Sequence, residues 1–197
     1  MKRSFILLCS MFVIVFSAAA QTTWLVDDVH SNVKFSVSHL IISDVEGSFR
    51  VYNGTLTSPG QDFADAQVAF TVDVASISTG NEMRDTHLKS DDFFNAEKFA
   101  TMSFQSVSWR KVDSRSYEVE GDLTIRDVTK RVTFVVVHGG IIKDPWGNTK
   151  AGFKASTTIN RFDFGLKWNA LTEAGGATVG KDVSITLNLE FAQKKAS

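Results

Sequence analysis

The chain has 197 residues, 43% hydrophobic and 22% charged, and its 21 Lys+Arg against 22 Asp+Glu leave a net charge of −1. That length fits one ordinary domain, the composition excludes a disordered chain, and the charge balance gives no reason for a nucleic-acid partner. Sixteen Phe stand beside 4 His, 2 Pro and 1 Cys, which excludes a disulfide-stapled mini-protein, a zinc ribbon and a polytopic membrane protein.

At the N-terminus, Lys2 and Arg3 precede an apolar run from Phe5 to Phe16 broken only by Ser10. Ser17-Ala18-Ala19-Ala20 then offers small residues before Gln21. This is the layout of a secretory signal peptide. The apolar run, roughly twelve residues, is too short for the ~20 of a spanning helix. Cys9 lies inside the run after the large Leu8, which argues against a lipoprotein. The expectation is a cleaved leader over 1–20, one domain over 21–197, a periplasmic or secreted location and no stable membrane insertion. Cleavage removes the sole cysteine, and with it thiol catalysis, thiolate metal sites and disulfides.

Beyond the leader the sequence alternates with period two, the mark of half-buried antiparallel strands. Val33, Phe35 and Val37 share one parity, followed by Val68, Phe70, Val72 and Val74. Tyr117, Val119, Gly121, Leu123 and Ile125 repeat the pattern, as do Ala151, Phe153, Ala155, Thr157 and Ile159. The last strand is the cleanest, with Val183, Ile185, Leu187, Leu189 and Phe191 against Asp182, Ser184, Thr186, Asn188 and Glu190. Less regular strands are expected at 23–27 and 47–57.

Two stretches depart from the pattern. Met102 and Phe104 share one parity while Val107 and Trp109 share the other, which predicts a β-bulge near Gln105 and Ser106. Residues 132–137 (VTFVVV) are apolar on both faces, so that strand is expected beneath a helix or long loop. Turns are predicted at Asn53-Gly54, Ser58-Pro59-Gly60, Gly139-Gly140 and Asp144-Pro145-Trp146-Gly147-Asn148. Residues 80–99 do not alternate; Asn81 and Ser90 are candidate N-caps for one or two short helices across one barrel end. A shorter helix is expected near 40–45.

The fold class is therefore all-β: strands of one-sided alternation either pair as a sandwich or close into a single antiparallel barrel of about eight strands, with one or two short helices capping one end. Closure removes exposed edges, and about eight strands enclose either a packed core or room for one small ligand. Periodicity alone leaves both outcomes open for the phenylalanines.

Signals for chemistry are sparse. His30, His39, His87 and His138 show neither an i,i+4 pair nor a His-x-His, so spacing predicts no metal site. There is no Gly-x-Ser-x-Gly elbow, and Gly139-Gly140 and Gly175-Gly176 lack the lysine and context of a phosphate loop. No catalytic residue and no cofactor are expected. Two charged clusters stand out: Arg84, Asp85, His87, Lys89 and Asp91 on the candidate lid, and Arg126-Asp127-Val128-Thr129-Lys130-Arg131 at a turn. Either they grip a polar head group or they tie lid to rim through salt bridges.

Several stretches together resemble the YceI-like family of exported polyisoprenoid-binding proteins. They are His30-Ser31-Asn32-Val33-Lys34-Phe35-Ser36-Val37-Ser38-His39, Ser78-Thr79-Gly80-Asn81, and Arg84-Asp85-Thr86-His87-Leu88-Lys89-Ser90-Asp91-Asp92-Phe93-Phe94. Later come Gly121-Asp122-Leu123-Thr124-Ile125-Arg126-Asp127-Val128-Thr129-Lys130, Asp144-Pro145-Trp146-Gly147 and Ile159-Asn160-Arg161-Phe162-Asp163-Phe164-Gly165-Leu166. The resemblance runs in order from about Trp24 to Phe191. It implies a lipocalin-like barrel whose interior holds a polyprenyl chain, as of a quinone, phenol or phosphate. Asp127, Arg131 and Ala100 stand where the family usually has Gly, Pro and Pro, and Phe162 replaces a residue that is often small and polar.

On this basis the expected partner is a polyisoprenoid or other long-chain amphiphile, bound rather than transformed. The expected ligand-binding residues are Phe35, Val37, His39, Phe70, Val72, Met102, Phe104, Leu123, Ile125, Phe134, Phe153, Ile159, Phe164 and Trp168, with Arg84, His87 and Phe94 from the lid. Two competing functions remain: a hydrolase-type enzyme using Asp91, His87 or Asp163, which needs a carboxylate or histidine facing the cavity, and a solid barrel acting through its surface. A homodimer through an exposed strand or loop stays open.

Overall fold

Alternation becomes a closed sheet in the computed structural model, which describes residues 21–171 and 175–195. The expected leader over 1–20 lies outside the described residues. The strands are β1 (Thr22–Val26), β2 (Asn32–His39), β3 (Ser43–Phe49), β4 (Tyr52–Ser58), β5 (Gln67–Asp73), β6 (Ile77–Ser78), β7 (Thr101–Lys111), β8 (Ser116–Ile125), β9 (Val128–Lys143), β10 (Thr149–Asn160) and β11 (Val179–Gln193), with helix α1 at Glu82–Lys89. Every pairing among them is antiparallel. No helix among these residues is long and apolar enough to cross a membrane.

Three of the barrel staves are interrupted strands. One edge of β11 pairs with β2 through Val183–Val37 to Asn188–Asn32, then with β1 through Phe191–Val26. β4 pairs with β1 and β3 with β2, while β5 pairs with β4 and β6 with β3. Thus β1/β2, β3/β4 and β5/β6 each form one stave. With β7 to β11 they make eight, and the β1–β11 pairing closes the ring. One end carries α1, residues 90–100, the 40–42 and 126–127 turns and residues 161–171 and 175–178. The other carries residues 59–66, 112–115 and 144–148.

Local chemistry explains the elements. β8 buries every second residue, from Tyr117 to Ile125, as its period-two sequence requires. The bulge falls one residue later than expected, between Ser106 and Ser108. It turns Val107 outward, keeps Phe104 and Trp109 directed inward, and leaves the Ser106 hydroxyl to accept from Val68 N at 2.8 Å. Asn81 caps α1, its side chain accepting from Arg84 N at 3.0 Å, with Glu82 and Asp85 in the first turn.

Other expectations are corrected. Ser90 closes α1 rather than opening a second helix, its N–H donating to His87 O. Residues 40–45 form no helix; 40–42 turn β2 into β3, with Leu40 and Ile41 at φ 53° and 66°, and 43–45 begin β3. Asn53-Gly54 lies inside β4 and Gly139-Gly140 inside β9. The outer face of 132–137 is uncovered, since Val135 and Val137 are exposed. The Ser58-Pro59-Gly60 and 144–148 turns form as expected, the latter with Gly147 at φ 83° and Asp144 accepting from Trp146 N and Asn148 N.

Two apolar clusters stack along the barrel axis. The first centres on Trp24, Phe63, Trp109, Tyr117, Phe153 and Phe191, the second on Phe49, Phe70, Phe93, Met102, Leu123 and Phe164 toward the helical end. Several inward residues are only half-buried, among them Phe35, Val37, Val183, Ile185 and Leu187. Side chains on the core parity stay accessible when they face a void, and here they do.

Candidate functional site

The void is an apolar chamber of about 1060 Å³, open space included, at the helical end. Its wall comes from all eight staves: Val33, Phe35 and Val37; Phe49; Phe70 and Val72; Met102 and Phe104; Leu123 and Ile125; Phe134; Ile159; and Val183, Ile185 and Leu187. Leu88, Phe93 and Phe94 cover it from the lid, and Leu166, Arg161 and Val179 complete the rim. A second, smaller chamber of about 530 Å³, open space included, continues toward the other end, lined by Trp109, Val119, Val136, Phe153, Ala155, Leu189 and Phe191.

Phe70, Phe104, Phe134 and Leu187 border both chambers and form a waist. Phe104 meets Phe134 edge-on, with ring centres 5.1 Å apart. From Ile159 in the upper chamber to Phe153 in the lower is six residues of β10, about 20 Å at ~3.3 Å per residue. The phenylalanines therefore neither interlock into a solid core nor leave one uniform tube.

Most expected ligand-binding residues come together on this wall: Phe35, Val37, Phe70, Val72, Phe94, Met102, Phe104, Leu123, Ile125, Phe134 and Ile159 in the upper chamber and Phe153 in the lower. Five do not. His39 ends β2, opposite Ser43 and Val179. Phe164 is buried behind the wall. Arg84 is engaged with Thr79, through Nε to Oγ1 at 2.7 Å and Nη2 to O at 3.0 Å. His87 bonds Asp92 at 2.8 Å and packs edge-on against Phe93 and Trp168, so His87 and Trp168 back the lid rather than face the void.

The charged clusters tie lid to rim. Arg126, only 16% exposed at its side chain, donates to Asp91 O, Phe93 O and Gly165 O and to the Asp91 carboxylate at 2.9 Å. Arg131 lies on the outer face, bonded to Asp122 and Glu120, which raise its pKa further. Val33, Val183, Ile185 and Leu187 are legible as wall residues from their parity, while Phe49 lies in a stretch without clear alternation. Leu88, Phe93 and Arg161 carried no such signal, because the lid and the 161–164 turn have no period.

Among the described residues the wall bears no carboxylate, histidine or cysteine; Lys34 and Arg161 are its ionisable members. Asp91, His87 and Asp163 do not border either chamber. One group of metal-type ligands, Asp27, His30 and Glu190, assembles from remote segments that spacing could not connect. The Lys150 ammonium is bonded to two of the three, Asp27 and, at 3.1 Å, Glu190. Burial pushes the Asp27 carboxyl up, but its bonds from Lys150 and His30 outweigh that and hold it at about 2.

A closed antiparallel barrel around an apolar chamber, capped by one helix, defines a lipocalin-like class. Within it, the sequence matches the YceI-like domain over residues 24–191, and the chain belongs to that family. It is 36% identical over 172 residues to the UPF0312 protein SA2479 of Staphylococcus aureus (strain N315), across 87% of this chain and 98% of that one. The crystal structure of the Campylobacter jejuni YCEI protein superposes with a TM-score of 0.67 at 31% identity, over 81% of this chain and 90% of that one. A polyisoprenoid binding domain from Saccharophagus degradans, 14% identical, shares the fold with a TM-score of 0.65 over 90% of this chain and 100% of that one.

Proposed function

We propose that the protein is an exported lipid-binding protein that holds a polyisoprenoid or similar long apolar amphiphile in the lumen for transport or storage. The observation that carries this is the pair of chambers in line, walled by Phe, Val, Leu and Ile and joined at a phenylalanine waist. The wall of the upper chamber is almost wholly apolar, as a site for a greasy chain requires. Each methylene moved from water into it contributes about 0.8 kcal/mol, so a long chain binds tightly with few polar contacts. The shared fold with a polyisoprenoid binding domain supports the same reading, as does the leader-like sequence of residues 1–20.

Binding, not catalysis, is the activity. Nucleophilic or acid–base work at a hydroxyl needs a base within hydrogen-bond reach, and although Ser103 and Lys34 belong to the upper wall, no carboxylate, histidine or cysteine among the described residues lines either chamber. The test is organic extraction of natively purified protein followed by mass spectrometry, beside reloading of the stripped protein with geranylgeraniol. An isoprenoid in the extract, or saturable uptake that Phe104→Arg and Phe153→Arg abolish with unchanged circular dichroism, is the expected result. No uptake, or uptake that both variants retain, would falsify lumen binding.

A further inference from the structure

The lower chamber ends on a packed layer, and one ring of that layer comes from outside the sheet. Tyr117 lies two residues beyond the chamber residue Val119 along β8, and Ala151 two beyond Phe153 along β10. With Trp24 and Phe63 they are at most 2% exposed, and none of the four borders either chamber. Trp24, Tyr117 and Ala151 sit on β1, β8 and β10, so the register of the barrel fixes them. Phe63 belongs to residues 59–66, the connection from β4 to β5 at this end.

The Phe63 ring centre lies 4.9 Å from that of Phe153, edge-on, 4.9 Å from His138 and 5.5 Å from Trp24. Phe153 also meets Trp109 at 6.0 Å and Phe191 at 5.9 Å, and these three rings make the chamber floor. The loop is bent to deliver Phe63 beneath them. Phe63 and Asp65 have φ 55° and 59°, the left-handed region that residues other than glycine rarely adopt. The Tyr117 hydroxyl donates to Asp62 O, and Asp65 N–H donates to Trp109 O at 3.4 Å, which ties the bend to the staves on both sides of Phe63. Such a backbone persists only where its surroundings over-determine it, and here it places a fully buried ring.

An apolar chain gains free energy with each methylene that leaves water, but only while there is a void for the next one. At a close-packed layer the gain stops. The stave residues of that layer cannot retreat without a change of register. Trimming Phe63, by contrast, leaves a cavity into which the Phe153 ring can turn.

We infer that Phe63 is the length stop of the lumen: it holds Phe153 in place, fixes the floor of the lower chamber and so sets the longest apolar chain that the barrel takes. This rests on the lumen-binding reading and adds a length class to it. Phe63 acts through Phe153, as a positioning residue, and is not itself on the wall.

The experiment measures the affinity of the stripped protein for farnesol, geranylgeraniol, geranylfarnesol and hexaprenol, each one isoprene unit longer than the last. In the wild type, affinity should rise with each unit until the chain reaches the floor and then level off. In Phe63→Ala the first chain past that plateau should bind roughly ten-fold tighter or more than in the wild type, while shorter chains keep their affinity. Phe63→Leu should move the plateau the same way by less, and it carries the test if Phe63→Ala does not fold. Phe63→Trp should bring the plateau to a shorter chain. A plateau at one length in all four proteins, a uniform loss at every length, or a wild-type affinity still climbing at hexaprenol overturns the length stop and leaves lumen binding standing. Binding of no prenol by the wild type overturns the lumen reading, and this inference with it.

Discussion

The ring of Phe70 fills the place beside its cross-strand partner Gly54 where a Cβ would stand, 2.5 Å from Phe70 Cδ2. The relationship recurs around the barrel: Phe35 covers Gly47 and Phe104 covers Gly121 in the same way. A glycine on the neighbouring strand lets each ring settle onto the sheet instead of standing into the lumen. Sixteen phenylalanines can thus coexist with an open interior.

Restoring a methyl at these glycines should raise the rings and narrow the chamber. At Gly54 the added methyl meets mainly the Phe70 ring, which can move; at Gly121 it also meets Gln105 O at 2.5 Å, which cannot. Gly54→Ala should cost about 1 kcal/mol and Gly121→Ala about 3 kcal/mol, by overpacking. Both should weaken uptake of long prenyl chains more than short ones. Urea titration and binding of farnesol against geranylgeraniol check this. Equal losses for both chain lengths would show that the rings do not gate the lumen.

The same glycines mark where the sequence was misleading. Asn53-Gly54 has the form of a hairpin turn, yet Gly54 is present for the close approach of Phe70 within β4. The barrel itself was legible because Tyr117 to Ile125 and Val183 to Phe191 keep strict period two, and one-sided burial dictates that period. The outer valines of 132–137 broke the rule, since apolar residues also occur on open faces. On the site, parity marked the wall from Phe35 to Ile159. It does not separate wall from strand end, since His39 shares the parity of Phe35 and Val37 yet ends β2 outside the chamber, and it says nothing of Phe164 and Trp168, which lie outside the strands.

Arg126 holds the lid shut by bonding Asp91 O, Phe93 O and the Asp91 carboxylate on one side and Gly165 O on the other. Hydrogen bonds to a charged group contribute about 1.5–3 kcal/mol. Arg126→Ala should therefore lower stability by about 2 kcal/mol and release residues 90–99 locally. Amide exchange at Phe94 and Ala96, whose N–H groups bond Leu88 O and Lys89 O, should accelerate while that of β8 does not. Ligand release should quicken in parallel. Protection of Phe94 at the wild-type level would remove the latch from the account.

Ile41 stands 77% exposed at the tip between β2 and β3 with φ 66°, a left-handed conformation that a β-branched residue rarely adopts. The conformation costs about 1–2 kcal/mol for such a side chain, while asparagine tolerates it. Ile41→Asn gives up little packing, so it should raise stability by about 1 kcal/mol. The reading is a higher urea midpoint with an unchanged slope. A lower midpoint would mean that Ile41 makes a contact in the folded protein that its exposure conceals.

His138 is wedged between Phe63 and Phe153, with ring centres 4.9 Å and 5.0 Å away, and its buried Nε2 has no partner. Burial pushes its pKa below the ordinary 6.5; the backbone bond at Gly140 opposes this in part, and the positive charges of Arg115 and Lys111 add to it. The folded protein therefore holds the imidazole neutral while the unfolded chain takes up a proton as pH falls through about 6.5. With more protons bound by the unfolded state, stability is full above that pH and declines below it, down to the depressed folded value. His138→Leu keeps the apolar packing and removes the titration. Denaturant midpoints taken between about pH 7.5 and about pH 5.5 should drop in the wild type and drop less in the variant. Because carboxylates titrate alike in both proteins, the difference between the two slopes belongs to His138. Parallel slopes would mean that its imidazole is as easily protonated in the barrel as in the unfolded chain.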